Sequence, residues 1–400
     1  MPNLTQRILL IGALTLLTAF QGCRRQGFPD YPTGYREFAY ISNTGSNTVS
    51  VLDLVNVRPD RVLQVGNQPS GIAANPQKNE IYVVNTGSGT VTVINAENNQ
   101  VVATIGVRRQ PYAIDIDREG ALGYVANSGS NSVSVINLAR RQQVAVVGTG
   151  EQPGLARVSP DSRSLVVSNR GSGSVSIYSL SPFIPEAPTQ QPPRLRAVFT
   201  GCPGATDIAI PYAGKAFVAC SGSHTVMAIN LASPSDPHNS NPSLLSDHLA
   251  AVLDVGQSPV HLAVKPDGGE LFVSNFDSNS ISEVATGTNE VGGTYLVGTH
   301  PTHGVVTADN SSLWISNFGG DAITLYSIDE GKLGGGVRAG SGPDAIALSA
   351  DEHLLLVANY GSGDVAIIRT QGRNGPELFT MLAAGIHPTA IAVKSIGSAK

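Results

Sequence analysis

One phrase returns eight times along the 400 residues and limits what the chain can fold into: an apolar triplet ending in Asn, a Gly/Ser turn, then an alternating Val/Ile strand. It is clearest at Tyr82-Val83-Val84-Asn85, followed by Thr86-Gly87-Ser88-Gly89 and Thr90-Val91-Thr92-Val93-Ile94-Asn95, and again at Tyr124-Val125-Ala126-Asn127. The anchor falls at 43, 85, 127, 169, 220, 275, 317 and 359, in steps of 42, 42, 42, 51, 55, 42 and 42 residues. A fixed period of this size is the signature of a repeat architecture, in which each unit buries its apolar faces only against its neighbours.

A second anchor is a Pro opening a Pro-x-x-Ile-Ala-like strand at 69, 111, 153, 203, 259, 301, 343 and 388. Each unit then reads as strand A (71–75), a turn at 76–79, strand B (81–85), the Gly/Ser turn, strand C (90–95) and strand D (101–105). Four short antiparallel strands in about 42 residues make one propeller blade. The chain ends are complementary: Asn43 has strands B, C and D but no strand A, and the segment from Pro388 to Val393 is a strand A without a successor. Joining them buries two open sheet edges that would otherwise invite aggregation. The expectation is therefore an all-β propeller of eight four-stranded blades, closed by three N-terminal strands plus one C-terminal strand. Seven blades is the alternative if the irregular unit around Cys220 packs out of register.

These repeats resemble the YVTN-type β-propeller repeat family, named for tetrapeptides such as Tyr82-Val83-Val84-Asn85. The resemblance spans 37–396 and implies an extracytoplasmic propeller of bacterial or archaeal surfaces, with little implied about chemistry. A single Trp, Trp314, and no Trp-Asp repeat argue against the WD-repeat type.

The N-terminus reads differently. Arg7 precedes an apolar run from Ile8 to Phe20, long enough for a signal-peptide core and too short to span a bilayer. Gly22-Cys23 follows and resembles a bacterial lipobox, although Phe20 and Gln21 depart from its usual residues. The resulting division is a signal peptide over 1–22, a lipidated Cys23 with a tether over 23–36, one propeller over 37–396, and a tail over 397–400. The tether carries Pro and Gly and no strand pattern; fully stretched it would reach about 45 Å. The expected location is the periplasm or cell surface, with the protein tied to the membrane by lipid. An ordinary secretory signal with an incidental Cys is the alternative.

Composition narrows the partners. Charged residues make up 14% and the net charge is −5, without the basic footprint of a nucleic-acid binder. A monomer is expected, with a protein, glycan or cell-envelope ligand.

Local departures from the repeat are the candidate sites. Asn43, Asn85, Asn127, Asn169, Asn275, Asn317 and Asn359 should form a ring on the face shared by the B–C turns and D–A loops. An Asn entering a tight turn can bond its own backbone two residues on and tolerate unusual φ, so the ring reads as turn chemistry; the functional alternative offers its amides to a ligand over the channel. Cys202, before strand A, faces Cys220, at the end of strand B, across one hairpin, and export favours a disulfide; two buried thiols are the alternative. The flanking Pro-rich insertions, 181–194 and 233–248, both fall between strands C and D and should project from the face opposite the Asn ring, as tolerated loops or as a docking lip.

No catalytic set is legible. Two residues after their prolines, His261 and His303 occupy equivalent inner positions on neighbouring blades, with His300 just before Pro301. Three converging imidazoles could bind a divalent metal or handle protons, although isolated His residues are more often wall or core. Asp115 and Asp207 are inner-strand carboxylates on nonadjacent blades and make no close acid/base pair. No Ser-His-Asp elbow, phosphate loop or haem-attachment motif is present. The leading expectation is a membrane-anchored binding scaffold, with no cofactor and with enzyme activity left open. A lactonase-like hydrolase and a metal or redox accessory protein are the alternatives.

Overall fold

The computed structural model describes residues 28–184, 191–232, 246–372 and 375–397. The segment expected to be a signal peptide, 1–22, and Cys23 lie outside the described residues. Among the described residues, thirty-two strands form eight separate four-stranded antiparallel sheets, each ordered A–B–C–D outward from the axis. Strand A of each blade packs on strand A of the next around the complete ring, so these strands line the central channel. Blade 2 shows the repeat: Pro69–Ala74, Glu80–Asn85, Thr90–Asn95 and Gln100–Gly106.

Blade 1 is the composite. Pro388–Ile396 pairs antiparallel with Arg36–Asn43, setting Ile391 opposite Ile41 and Ala392 opposite Tyr40. The irregular unit around Cys220 stays in register as blade 5, so the ring has eight blades rather than seven.

Strand B explains the uninterrupted apolar triplet. A middle strand in a sheet clamped between two others is covered on both faces, and Leu122–Asn127, Ser164–Asn169 and Leu354–Asn359 are buried at every position. The core therefore lies between blades: Tyr82, Val84, Val91 and Val93 of blade 2 pack with Ile114, Val125 and Ile136 of blade 3. Strand D is the outer edge and largely exposed.

Both insertions connect strands C and D, leaving blade 4 between Ser179 and Arg194 and blade 5 between Asn230 and His248. That places their ends on the face of the A–B turns, opposite the Asn ring. The tether differs from the expected free linker: Tyr35 is buried, and residues from Phe28 onward pack against the underside of blades 8 and 1.

Candidate functional site at the channel mouth

The anchor Asn ring forms, as a set of clasps rather than open amides. Asn43, Asn85, Asn127, Asn169, Asn275, Asn317 and Asn359 are all essentially without solvent exposure, so none is offered to a ligand. Their bonding is also not the local turn pattern. Asn85 Nδ2 donates to Thr90 Oγ1 and Thr92 Oγ1 at 3.1 and 2.9 Å, and Asn169 Nδ2 donates to Ser174 and Ser176 at 3.2 and 3.0 Å. The alternating Thr/Ser of strand C thus serve as acceptors for the amide. The left-handed residue is not the anchor but the fourth after it, as at Asn47 (φ 58°), Asn131 (φ 49°) and Asn279 (φ 53°).

The other half of the clasp was not read from the sequence. Three residues before the Pro, Gly stands at 66, 150, 256, 298, 340 and 385. A Cβ at Gly66 would sit 2.7 Å from Asn85 Cγ, so in these six blades the D–A loop approaches the amide as closely as it does only without a side chain; blade 3 has Arg108 at this position. Most of these loops are tied further, to their own blade, to the preceding one, or to both. The N–H of Gln257 donates to Ser278 Oγ of its own blade at 2.9 Å, and that of Gln152 donates to Asn131 Oδ1 of the preceding blade at 2.9 Å.

Blade 5 lacks both partners, with Cys220 as anchor and Thr200 in place of the Gly. There a disulfide joins Cys202, on the D–A loop, to Cys220, with Cα atoms 4.8 Å apart. It links the same two segments that the Asn–Gly clasp links elsewhere.

The residue after each anchor forms a second ring, also missed in sequence: Thr44, Thr86, Ser128, Arg170, Ser221, Phe276, Phe318 and Tyr360. Several of these side chains reach toward the next blade's loop. Thr44 Oγ1 donates to the Pro69 carbonyl and Thr86 Oγ1 to the Pro111 carbonyl, each at 2.6 Å. Phe276 stacks on His300, and Tyr360 on His387, with centroids 4.4 Å apart in each pair; Phe318 lies 6.2 Å from Tyr360. Arg170 lies over the half-exposed ring of Tyr112. The mouth is therefore divided, with hydroxyls on blades 1 to 3 and aromatic rings on blades 6 to 8. The signal was available: this position varies while its neighbours in the phrase stay constant.

Inside the channel, four ionisable side chains on the strands A of blades 5 to 8 form a row. His261 Nε2 is 3.8 Å from Asp207 Oδ2, the His261 and His303 ring centroids are 4.8 Å apart, and His303 Nδ1 is 3.0 Å from Asp344 Oδ1. The last contact is an ion pair rather than an aligned hydrogen bond. Asp344 was not singled out in sequence because it follows its Pro by one residue, where the histidines follow theirs by two. Strands A and B shift register just after the Pro in these blades, so neighbouring positions converge on one site. His300 does not join this row: its place is against Phe276 at the mouth, so the three-imidazole centre does not form. Among the described residues no group of three or more His, Cys, Asp or Glu is placed to hold a metal ion.

The two imidazoles are tuned in opposite directions. Burial, with only partial compensation from Asp207, lowers His261 to about 4, and the Gly304 N–H donating to His261 Nδ1 at 3.2 Å suits the neutral ring. Burial also acts to lower His303 but is outweighed by Asp344 and Asp207, so its value rises; the same pairing overcomes burial and holds Asp344 below the usual carboxylate range. His303 is thus the more basic of the two imidazoles, and its side chain is 40% exposed. Asp207 also accepts the Leu262 N–H at 2.9 Å. Asp115 has the parallel role between blades 3 and 4, accepting the Val158 N–H at 2.8 Å and lying 3.5 Å from Arg157.

No family model matches the chain, and no curated protein matches it. Solved structures do. Dihydro-heme d1 dehydrogenase NirN in complex with DHE aligns with a TM-score of 0.71 at 15% identity, over 91% of this chain and 77% of that one. A putative 6-phosphogluconolactonase from Bacteroides fragilis aligns with a TM-score of 0.61 at 13% identity, over 92% and 100%. Kuenenia stuttgartiensis hydrazine synthase aligns with a TM-score of 0.51 at 18% identity, over 72% and 91%. The likeness is one of fold. At these identities the propeller is shared, and the chemistry of the mouth must be argued from this chain's own residues.

Proposed function

We propose that this chain is an extracytoplasmic propeller of the YVTN type, anchored to the membrane through Cys23, that binds a glycan-bearing envelope component over the mouth on the Asn-ring face. The divided rim carries the reading. Phe276, Phe318 and Tyr360 give ring faces suited to the apolar C–H faces of sugars, and Thr44, Thr86 and Ser128 place hydroxyls across the opening. The Asn–Gly clasps fix the loops that carry these side chains, so the rim is preorganised. Calorimetric titration of the protein with envelope polysaccharide fragments tests this. Saturable binding that weakens at least tenfold in Phe318→Ala and Tyr360→Ala, with melting unchanged, is expected; absence of saturable binding would sink it.

A hydrolytic reading has one observation in its favour. Asp344 Oδ1 lies 3.0 Å from His303 Nδ1 and the imidazole is partly open to the channel, so the neutral ring could serve as a base beside a carboxylate. Turnover on a lactone panel that is lost in His303→Gln would replace the binding reading with this one.

A further inference from the structure

The segment 28–35, read as a tether from sequence, is a strap across the underside of the ring. Phe28 packs edge-on against Phe379 and His353, with centroids 5.0 and 5.5 Å away, and the Arg369 guanidinium lies over both Phe28 and Phe379 at 4.5 and 4.4 Å. Tyr31 donates to Asp351 Oδ2 at 2.8 Å and stacks on Tyr35. Tyr35 in turn donates to Glu37 at 2.9 Å, and Glu37 accepts the Ala350 N–H at 2.6 Å. Phe28, Pro29 and Tyr31 also border a cavity with Val55 to Arg58, the C–D turn of blade 1. Asp351 and His353 belong to the A–B turn of blade 8, and the strap therefore spans the boundary between blade 8 and the composite blade 1.

We infer that the strap orients the propeller on a lipid bilayer, with the A–B face toward the membrane and the channel mouth away from it. The inference rests on the proposed anchoring at Cys23. Only four residues, Arg24 to Gly27, separate Cys23 from docked Phe28, a reach of about 18 Å when fully extended. A free tether from Cys23 to Glu37 would let the ring tumble; a docked strap removes most of that length and holds the underside against the headgroups. Arg24 and Arg25 directly follow Cys23 in sequence, and cations next to a lipid anchor are favoured by anionic headgroups. The opposite face, with the aromatic and hydroxyl arcs, is left open to ligands outside the membrane. The C–D connections of blades 4 and 5 leave from the same underside, across the ring from the strap.

The test uses the full chain, exported and matured in a lipidating host and placed in phosphatidylethanolamine/phosphatidylglycerol vesicles with an acceptor-labelled lipid. Mass of the mature N-terminal peptide and loss of Cys23→Ser from the membrane fraction decide the anchoring; an unacylated chain overturns both readings at that step. Orientation is read separately in the anchored protein, with the disulfide kept oxidised and a donor dye on Glu330→Cys in the underside turn or on Glu151→Cys in a mouth loop. Both positions are exposed. Energy transfer several-fold stronger from position 330 is expected. Equal or stronger transfer from 151 in an acylated chain overturns the orientation and leaves the anchor standing. Phe28→Ala with Arg369→Ala should reduce the contrast. A flexible insertion of about ten residues between Gln26 and Gly27 leaves the strap docked and should reduce it as well, by restoring a long tether. A contrast that survives both changes overturns the role of the strap.

Discussion

The Gly385 N–H donates to Asn43 Oδ1 at 3.0 Å, joining positions 342 residues apart. The close Asn–Gly approach of the repeat is here made between the two ends of the chain and gains a hydrogen bond that the Oδ1 atoms of the other anchor Asn residues lack; Ser46 Oγ adds to it by accepting the Ile386 N–H at 3.2 Å. A Cβ on Gly385 would lie 2.7 Å from Asn43 Cγ. Gly385→Ala should therefore lower unfolding stability by about 1–3 kcal/mol through overpacking. Asn43→Ala should lower it by a similar amount, because the hydroxyls of Thr48 and Ser50 and the Gly385 N–H lose their partner. Urea unfolding measures both. A cost below about 0.5 kcal/mol for Asn43→Ala would show that strand pairing alone closes the ring.

Blade 5 makes the same connection covalently. If the disulfide replaces the clasp, reductant should lower stability by about 3 kcal/mol, the chain-entropy value for a loop of this size, and shift mobility on a gel. Cys202→Gly with Cys220→Asn does not restore the clasp, since the glycine of the other blades stands two residues earlier in the loop. Thr200→Gly with Cys220→Asn and Cys202→Ser should recover more stability than Cys202→Ser with Cys220→Ser. Equal melting of those two variants would separate the disulfide from the clasp.

The fold was legible because the two anchors repeat at a constant spacing, so one hairpin assignment fixed all eight blades, including the composite one. The disulfide was legible for the same reason: in-phase positions on one hairpin must face each other. The mouth was less so. The Gly three residues before the Pro acts through a side chain from a different strand, and Asp344 reaches His303 through a register shift that regular alternation does not contain. His300 was misplaced because its loop position neighbours the inner strand in sequence, whereas its ring is drawn to Phe276. Residues 28–35 carry no periodic pattern, and their packing depends on Phe379 and Arg369, far along the chain.

The rim can be tested apart from the scaffold. Phe318 and Tyr360 are half-buried at the mouth, outside the inter-blade core clusters. Replacing either by Ala should change stability by less than about 1 kcal/mol while weakening ligand binding. By contrast, Trp314 of blade 7 lies within the core shared with blade 8, and Trp314→Ala should cost about 3–5 kcal/mol. Thermal melts beside binding isotherms distinguish the two classes, and a rim variant that melts like Trp314→Ala would place those rings in the core.

The channel row gives stability a defined pH dependence. His261 falls from 6.5 to about 4 on folding, so the unfolded chain binds more protons there between those values, and stability is lost as pH drops from 6.5 toward 4. His303 shifts the opposite way: its contribution is fully present below 6.5 and is lost as pH rises through its higher folded value. Asp344, held low, contributes above its ordinary 3.8 and loses that contribution only as pH falls through its folded value. Together the row favours a stability maximum near pH 6.5. Asp344→Asn removes the main support for the His303 proton, so the decline above pH 6.5 should flatten while the His261 limb between 6.5 and 4 remains. Urea unfolding of wild type and Asp344→Asn from pH 4 to 9, with the imidazole C–H resonances followed by NMR, checks both limbs. An unchanged decline above pH 6.5 in Asp344→Asn would assign it to groups outside the channel.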